Sequence, residues 1–391
     1  MNSKQDRPVS TLSTASSRSW KGFFKRRRVT PSSSSEYWCK SLSVPVDEGR
    51  IVRVLQTSPD QSDLKSASTP LLSAFEDKTV FFFHGVGGSA EIWQKQMTFF
   101  HIRGYRTVAP DLLGHGESSK PHRSSAYSFN NLGRDMLKIY DIFQGKRNIL
   151  VGHSYGASFA TLIATERTSS VAKVILISGG PPTSLKPERF SVFCLPLPIF
   201  SPIKPMVVKR FRSMAFHSPI KEKTMSFTLP AYILKSVMQG QHWPEGNEEY
   251  HGDLLVPVLL IYGRSDKFVT LEEELWTEEV IYGSNLEIVE DAGHMVMIEK
   301  PDVVNQMILK FLNRDATTRS MVDLSQASAT GLVKDFPGVD SPEKDTDSHV
   351  INHFINKDLL HNEVSGASRP PSRAASRLSR HGSEKKTKIG L

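Results

Sequence analysis

The chain has 391 residues, of which 38% are hydrophobic and 23% charged, so it can bury a sizeable core while part of it is expected to stay unfolded. Its two cysteines, Cys39 and Cys194, exclude the disulfide framework of small secreted domains. The formal charge of +8 comes from the two ends, because residues 1–30 hold eight basic side chains against one acidic one and residues 366–391 hold seven against one. A nucleic-acid partner is therefore not expected.

The chain divides into three parts by composition. Residues 1–45 and 316–391 are rich in serine, proline and charge, which predicts a disordered basic N-terminal arm and a disordered Ser/Arg-rich C-terminal tail. Residues 46–315 alternate helical patterns with six apolar runs that we predict as strands, at 80–84, 107–112, 148–151, 174–178, 258–262 and 286–289. This alternation is typical of an α/β domain with a mostly parallel central sheet flanked by helices.

A segment at about residues 181–253 interrupts the alternation and contains several prolines. We predict that it forms a helical cap inserted over one edge of the sheet. Its aromatic and cationic residues suit a lipid-facing lid, while packing of a small helical core is the open alternative. The aromatic residues in question are Phe190, Phe193, Phe200, Phe211, Phe216 and Phe227.

The most informative motif is Gly-His-Ser-Tyr-Gly at residues 152–156. It follows the apolar run NILV and precedes the helical pattern ASFATLIATER, and a G-x-S-x-G between a strand and a helix indicates a nucleophile elbow. In that turn the two glycines allow tight backbone packing, and the serine hydroxyl stands above the sheet. We therefore predict Ser154 as the catalytic nucleophile.

A serine hydroxyl becomes a nucleophile at neutral pH when a histidine takes its proton and an acid orients that histidine. His294 lies just beyond the predicted strand LEIV, and Asp266 follows the predicted strand PVLLIY. The order Ser154, Asp266, His294 fits the triad that accompanies a strand-to-helix elbow. Asp291 is the competing acid, although its place three residues before His294 favours a turn-forming role.

Acyl transfer also needs hydrogen-bond donors for the oxyanion of its tetrahedral intermediate. The backbone amide of Tyr155 is one candidate, and the second is Val86 in the loop HGVGGS, with Gly87 as the alternative. His115 and His153 are candidates for lining the pocket. We expect neither a metal nor a cofactor, because the sequence has no H-E-x-x-H, no paired cysteines and no P-loop pattern.

Four features occur in a consistent order: HGVGGS, DLLGHGES, GHSYG and the late Asp–His pair. Over about residues 75–315 the chain resembles the α/β-hydrolase superfamily, and the stretches WPEG and HMVM resemble its abhydrolase domain-containing members. The resemblance implies a capped hydrolase fold and an esterase or lipase activity without a cofactor. Epoxide hydrolases and dehalogenases of this fold have Asp at the position that Ser154 occupies here. Acyltransferase relatives have a His-x4-Asp pattern, and this chain has Glu299 in place of its Asp. Both departures argue against those activities.

Two functional hypotheses follow. The first is a serine esterase or lipase that cleaves a carboxylic ester, of a small molecule or a lipid, through an acyl-enzyme on Ser154, with His294 as base and Asp266 as orienting acid. The second is a hydrolase-fold scaffold or regulatory protein that binds a protein partner or a membrane through its cap and basic arms. We expect a cytoplasmic location, with peripheral membrane association left open.

Overall fold

Eight strands form the central sheet of the computed structural model, which describes residues 39–58, 78–218 and 229–314. The strands are β1 (Cys39–Asp47), β2 (Arg50–Thr57), β3 (Lys78–Phe83), β4 (Arg106–Pro110), β5 (Arg147–His153), β6 (Val171–Ile177), β7 (Val258–Gly263) and β8 (Asn285–Val289). They lie in the order β1-β2-β4-β3-β5-β6-β7-β8. β1 and β2 pair antiparallel to their neighbours, whereas β3 to β8 pair in parallel, so the carboxyl ends of these six strands share one edge. The predicted mostly parallel sheet is confirmed.

The six strands predicted from the apolar runs correspond to β3 to β8, whereas the hairpin of β1 and β2 was not predicted. Residues 39–45, which we assigned to the N-terminal arm, belong to β1, where Cys39 lies opposite Thr57. The half-exposed sequence CKSLSVPVD carries little apolar signal, and its pairing with β2 gives it a defined conformation. Residues 1–38 and 316–391, where the disordered arms were predicted, lie outside the described residues. The limits of those arms therefore stay predictions.

Helices flank the sheet on both faces. They are α1 (Gln94–His101), α2 (Phe129–Phe143), α3 (Tyr155–Glu166), α4 (Leu197–Ala215), α5 (Ala231–Gln239), α6 (Glu248–Gly252), α7 (Leu271–Val280), α8 (Val296–Glu299) and α9 (Pro301–Asn313). In β3, Phe81 and Phe83 join the core on the side of α2 and α3, whereas Val80 and Phe82 join the core on the side of α1 and α9. This alternation explains why β3 is apolar throughout, as expected for a strand buried on both faces.

The chain between β6 and β7, residues 178–257, carries α4, α5 and α6, and we call it the cap. Residues 219–228 of the cap lie outside the described residues. α4 contains two internal prolines, Pro202 and Pro205, so the prolines that marked this segment in the sequence do not prevent a 19-residue helix. No helix within the described ranges has the length and apolar character needed to cross a bilayer.

Candidate active site

Ser154 occupies the sharp turn between β5 and α3. Its backbone has a φ of 52° and a ψ of −127°, a left-handed conformation that a non-glycine residue adopts only where the surrounding structure imposes it. The backbone N–H of Ser154 donates to the carbonyl oxygen of Ile177 at 3.0 Å, and its own carbonyl accepts from Ala157 at 2.8 Å. These bonds hold the serine at the carboxyl end of a central strand, in the geometry of a nucleophile elbow.

The two glycines of the motif let backbone segments approach at this turn. A Cβ atom on Gly156 would lie 2.2 Å from the carbonyl oxygen of Phe83, and one on Gly152 would lie 2.5 Å from the carbonyl oxygen of Gly156. Neither position has room for a side chain. The spacing of glycines around Ser154 is therefore a packing requirement of β3, β5 and α3.

Asp266 and His294 meet at the neighbouring strand ends. The Nδ1–H of His294 donates to Oδ2 of Asp266 at 2.8 Å, and both side chains are buried. Oδ1 of Asp266 accepts from the backbone N–H groups of Phe268 at 2.8 Å and Val269 at 3.1 Å. The carboxylate thus has three donors, which suits a buried negative charge. With Nδ1 engaged in this way, Nε2 of His294 can accept a proton.

The competing acid, Asp291, lies elsewhere in the same loop. Its side chain is exposed and its φ is 52°, a conformation that Asp tolerates in turns. The contact of His294 with Asp266 therefore distinguishes the two acids that the sequence analysis left open.

The predicted oxyanion donors, Tyr155 and Val86, belong to the two segments that meet at Ser154. Tyr155 is the first residue of α3, where backbone N–H groups have no partner within the helix. Val86 lines the same cavity as Ser154. A Cβ atom on Gly85 would lie 2.9 Å from Cβ of Ser154, so the glycine-rich loop after β3 lies directly against the nucleophile.

His84 is a residue that the sequence analysis missed. Its Nδ1–H donates to the carbonyl oxygen of Gly85 at 2.8 Å, and its Nε2 accepts from the N–H of Leu112 at 3.0 Å. Burial lowers the pKa of His84, against the opposing charge of Asp111, so the neutral ring can make both bonds. His84 thereby ties the loop that carries Val86 to the chain after β4. Its position directly before that loop is the signal that could have identified it.

The two candidate pocket histidines have different positions. His153 lines the cavity, and its Nε2–H donates to the carbonyl oxygen of His294 at 2.9 Å. Burial, together with the neighbouring charge of His294, holds the pKa of His153 well below its ordinary value. His115 packs against His84 with ring centroids 5.1 Å apart, and it is absent from the lining of this cavity. Burial lowers the pKa of His115 to about 3, which agrees with a neutral packing residue.

A cavity of about 590 Å³, part of it open to solvent, joins the body to the cap above Ser154. The body contributes Ser154, His153, His294 and the loop after β3. The side chains that the cap contributes are all apolar: Phe193, Val207, Val208, Phe211, Leu234 and Met238. An apolar wall facing a few polar groups is the usual form of a small-molecule site.

The cap aromatics divide between the two roles that the sequence left open. Phe200 is fully buried and packs on Phe193 with ring centroids 5.5 Å apart, which agrees with a small helical core. Phe193 and Phe211 line the cavity. Phe190 is 95% exposed, and Phe227 lies outside the described residues. Core packing and pocket lining therefore account for most of the described aromatic residues.

The fold and this arrangement agree with the comparisons with known proteins. A family model described as "Alpha/beta hydrolase family" matches residues 80–307, and the chain belongs to this family. It is 43% identical over 256 residues to Protein ABHD8 of Mus musculus, with 64% of this chain and 58% of that protein covered. Protein ABHD8 of Homo sapiens is 42% identical with the same coverage. The chain thus spans about 58% of the length of these curated relatives, and the expected resemblance to abhydrolase domain-containing proteins is confirmed.

Solved structures share the fold at low sequence identity. An esterase from Exiguobacterium antarcticum superposes with a TM-score of 0.57 at 17% identity, covering 70% of this chain and 99% of that one. A membrane phospholipase A gives a TM-score of 0.53 at 21% identity, covering 71% of this chain and 86% of that one. At these identities the likeness establishes the α/β-hydrolase fold.

Proposed function

We propose that the protein is a serine hydrolase that cleaves carboxylic esters with an apolar acyl group. The observation that carries the proposal is the buried His294–Asp266 pair, with Nδ1 and Oδ2 2.8 Å apart, beside a cavity that Ser154 and His294 line together. Acyl transfer to serine needs a nucleophile, a base and an orienting acid, and these follow β5, β8 and β7 at the same edge of the sheet.

In the first half of the reaction, Nε2 of His294 accepts the proton of Ser154 as Oγ bonds to the carbonyl carbon of the ester. The carbonyl electron pair moves onto the oxygen, which the backbone N–H groups of Val86 and Tyr155 stabilise. The intermediate collapses as the bond to the alkoxide breaks. His294 returns the proton to that leaving group, and the acyl-enzyme on Ser154 remains.

In the second half, water attacks the acyl carbon and His294 takes the water proton. The bond to Oγ of Ser154 breaks, His294 protonates Oγ, and the carboxylic acid leaves. Asp266 stabilises the imidazolium in both halves and keeps Nδ1 protonated. His153 assists because its Nε2–H holds the backbone carbonyl of His294, and its lowered pKa avoids a second positive charge beside the base.

The apolar cap supports an acyl substrate more than a polar one. Val207, Phe211 and Leu234 offer no hydrogen-bond donors or acceptors to a sugar, phosphate or peptide group. Burying an alkyl chain against such side chains contributes about 0.8 kcal/mol per methylene. An ester of a medium-length or long fatty acid would gain most from this wall, and a lipid ester falls within this class.

The test is labelling of the full chain by a fluorophosphonate probe, followed by a panel of p-nitrophenyl esters from acetyl to palmitoyl. Wild-type protein should be labelled and should hydrolyse esters, whereas Ser154→Ala should do neither while keeping the wild-type melting temperature. Ser118→Ala is the control, because Ser118 is also buried but its Oγ donates to the carbonyl oxygen of Asp111 at 2.7 Å and accepts from the backbone N–H of Arg53 at 2.9 Å; its melting temperature should fall while labelling and hydrolysis remain. Folded wild-type protein that resists labelling would overturn the proposal and favour the scaffold hypothesis.

A further inference from the structure

Glu299, the last residue of α8, lies between the base loop and the end of the cap helix α4. Its Oε2 accepts a hydrogen bond from the backbone N–H of Gly293 at 2.6 Å. Its Oε1 accepts from the backbone N–H groups of His217 at 2.9 Å and Ser218 at 3.2 Å. One carboxylate therefore joins the residue before His294 to the residues that leave α4.

Further contacts reinforce this connection. The backbone N–H of Met295 donates to the carbonyl oxygen of Ala215, the last residue of α4, at 3.0 Å. Nδ1 of His217 lies 2.8 Å from Oγ of Ser265, next to Asp266 in the acid loop. A Cβ atom on Gly293 would lie 2.9 Å from the N atom of His217. The end of the cap helix thus packs against both loops that carry the base and the acid.

An aromatic path follows the same route. Phe211 of α4 stacks on Phe268 with ring centroids 4.8 Å apart, and Phe268 meets the ring of His294 edge-on at 5.0 Å. Phe211, which lines the cavity, is therefore connected to the base His294 through the ring of Phe268. A shift of α4 would move both the substrate wall and the support of His294.

We propose that Glu299 is a positioning residue for His294, which makes the orientation of the base depend on the seating of the cap. On the proposed function, Glu299 acts through the backbone of Gly293 and not as a proton donor, because both of its oxygens accept backbone N–H groups. The negative charge matters, since charge-assisted hydrogen bonds are about twice as strong as neutral ones. The side-chain length matters as well, because the carboxylate has to reach two separate segments.

Glu299→Gln is the appropriate variant because it keeps the size of the side chain. The amide has one acceptor oxygen in place of two and carries no charge, so it cannot join Gly293 to the pair His217 and Ser218, and the bond that it keeps is weaker. The matched control is Asp302→Asn, which neutralises an exposed carboxylate three residues further on. Both variants are made in the full chain, with melting temperatures measured to verify folding.

In Glu299→Gln we expect kcat on a soluble short-chain ester to fall about 10- to 100-fold, since small misplacements of a catalytic group have effects of this size. KM should change less than threefold, because the cavity wall remains. The rate constant for fluorophosphonate labelling of Ser154 should fall in proportion to kcat. Asp302→Asn should match the wild type in all three quantities.

Hydrogen exchange reports on the contact between the base loop and the end of α4 independently of catalytic activity. In Glu299→Gln, amides at 293–296 and at 215–218 should exchange faster together, since local opening would now separate the two segments. A kcat within twofold of the wild type, or exchange that rises at one segment alone, overturns the proposal while the proposed function stands. Wild-type protein that neither labels nor hydrolyses esters overturns both.

Discussion

The body and the cap contribute to the site in different ways. In the body, Ser154, Asp266 and His294 lie at strand ends, and backbone atoms approach so closely that Gly152 and Gly156 have no room for a Cβ atom. The cap contributes apolar side chains to the cavity wall. On the proposed function, the chemistry depends on the closely packed body, whereas substrate preference depends on the apolar wall that the cap provides.

Buried or half-buried glutamates of the body contact the cap at its beginning and at the end of α4. At the beginning of the cap, Oε1 of Glu274 accepts from the N–H of Gly180 at 3.2 Å. Ser178, two residues earlier, has a φ of 47°. At the end of α4, Glu299 makes the corresponding connection. A single carboxyl group takes part in each of these two contacts, which makes the contrast between the regions testable by substitution.

The largest effect is expected in the body, from Asp266→Asn. The Asn carbonyl oxygen can still accept from Phe268 and Val269, but its NH₂ group then faces Nδ1 of His294 and selects the wrong tautomer. We expect kcat on a soluble ester to fall about 10⁴-fold with little change in melting temperature, as for an uncharged amide replacing a triad acid.

Asp291→Asn is the control for this experiment, because Asp291 is exposed at a positive φ that Asn also adopts. Its kcat should stay within twofold of the wild type. If Asp291→Asn lost more activity than Asp266→Asn, the acid would be assigned to the wrong residue. The proposed catalytic site in the body would then have to be redefined around Asp291.

A smaller effect is expected in the cap, from Leu234→Ala. Leu234 lines the cavity from α5, and removal of part of its apolar contact should weaken transition-state binding of long acyl chains more than of acetyl. We expect the ratio of kcat/KM for octanoyl over acetyl ester to fall about tenfold. The control is Leu255→Ala, since Leu255 is 84% exposed on the cap. A uniform loss for all chain lengths in Leu234→Ala would contradict the assignment of specificity to the cap.

The smallest effect is expected where the cap begins, from Glu274→Gln. Burial raises the pKa of Glu274 from its ordinary value of 4.5 to about 8. Between these values the folded protein holds a proton that the unfolded chain has released, so the stability contribution is full below about pH 4.5 and is lost as pH rises toward 8. Glutamine does not titrate, so the Glu274→Gln variant does not lose this stability as the pH rises.

The measurement is thermal unfolding of wild type and Glu274→Gln at pH 5.5 and pH 8.5. The melting temperature of the variant relative to the wild type should rise by several degrees between these pH values, because only the wild type loses this stability as the pH increases. Glu272→Gln, an exposed position on the same helix, should give a difference independent of pH. An equal pH dependence in both variants would rule out Glu274 as its source.

Much of the fold could be predicted because apolar runs and helical periods are local signals. The parallel strands β3 to β7 carry apolar runs, since most of their residues are buried, and β8 at the edge of the sheet carries a shorter one. β1 and β2 were not predicted because an antiparallel edge hairpin with one half-exposed strand shows only a weak alternation of apolar and polar residues. Residues 39–45 form a strand because they pair with β2. This pairing depends on another segment of the chain, so the residues themselves give no signal for it.

The sequence by itself determined the elbow around Ser154 and the order of acid and base, because the chemistry of a serine nucleophile restricts residue types and their places after strands. The tertiary structure decided which candidates lie together. It brought Asp266 to His294, put His153 at the cavity and His115 behind His84, and joined Glu299 to the cap. These outcomes depend on distances between segments remote in the chain, and those distances follow from how the whole sheet and cap pack.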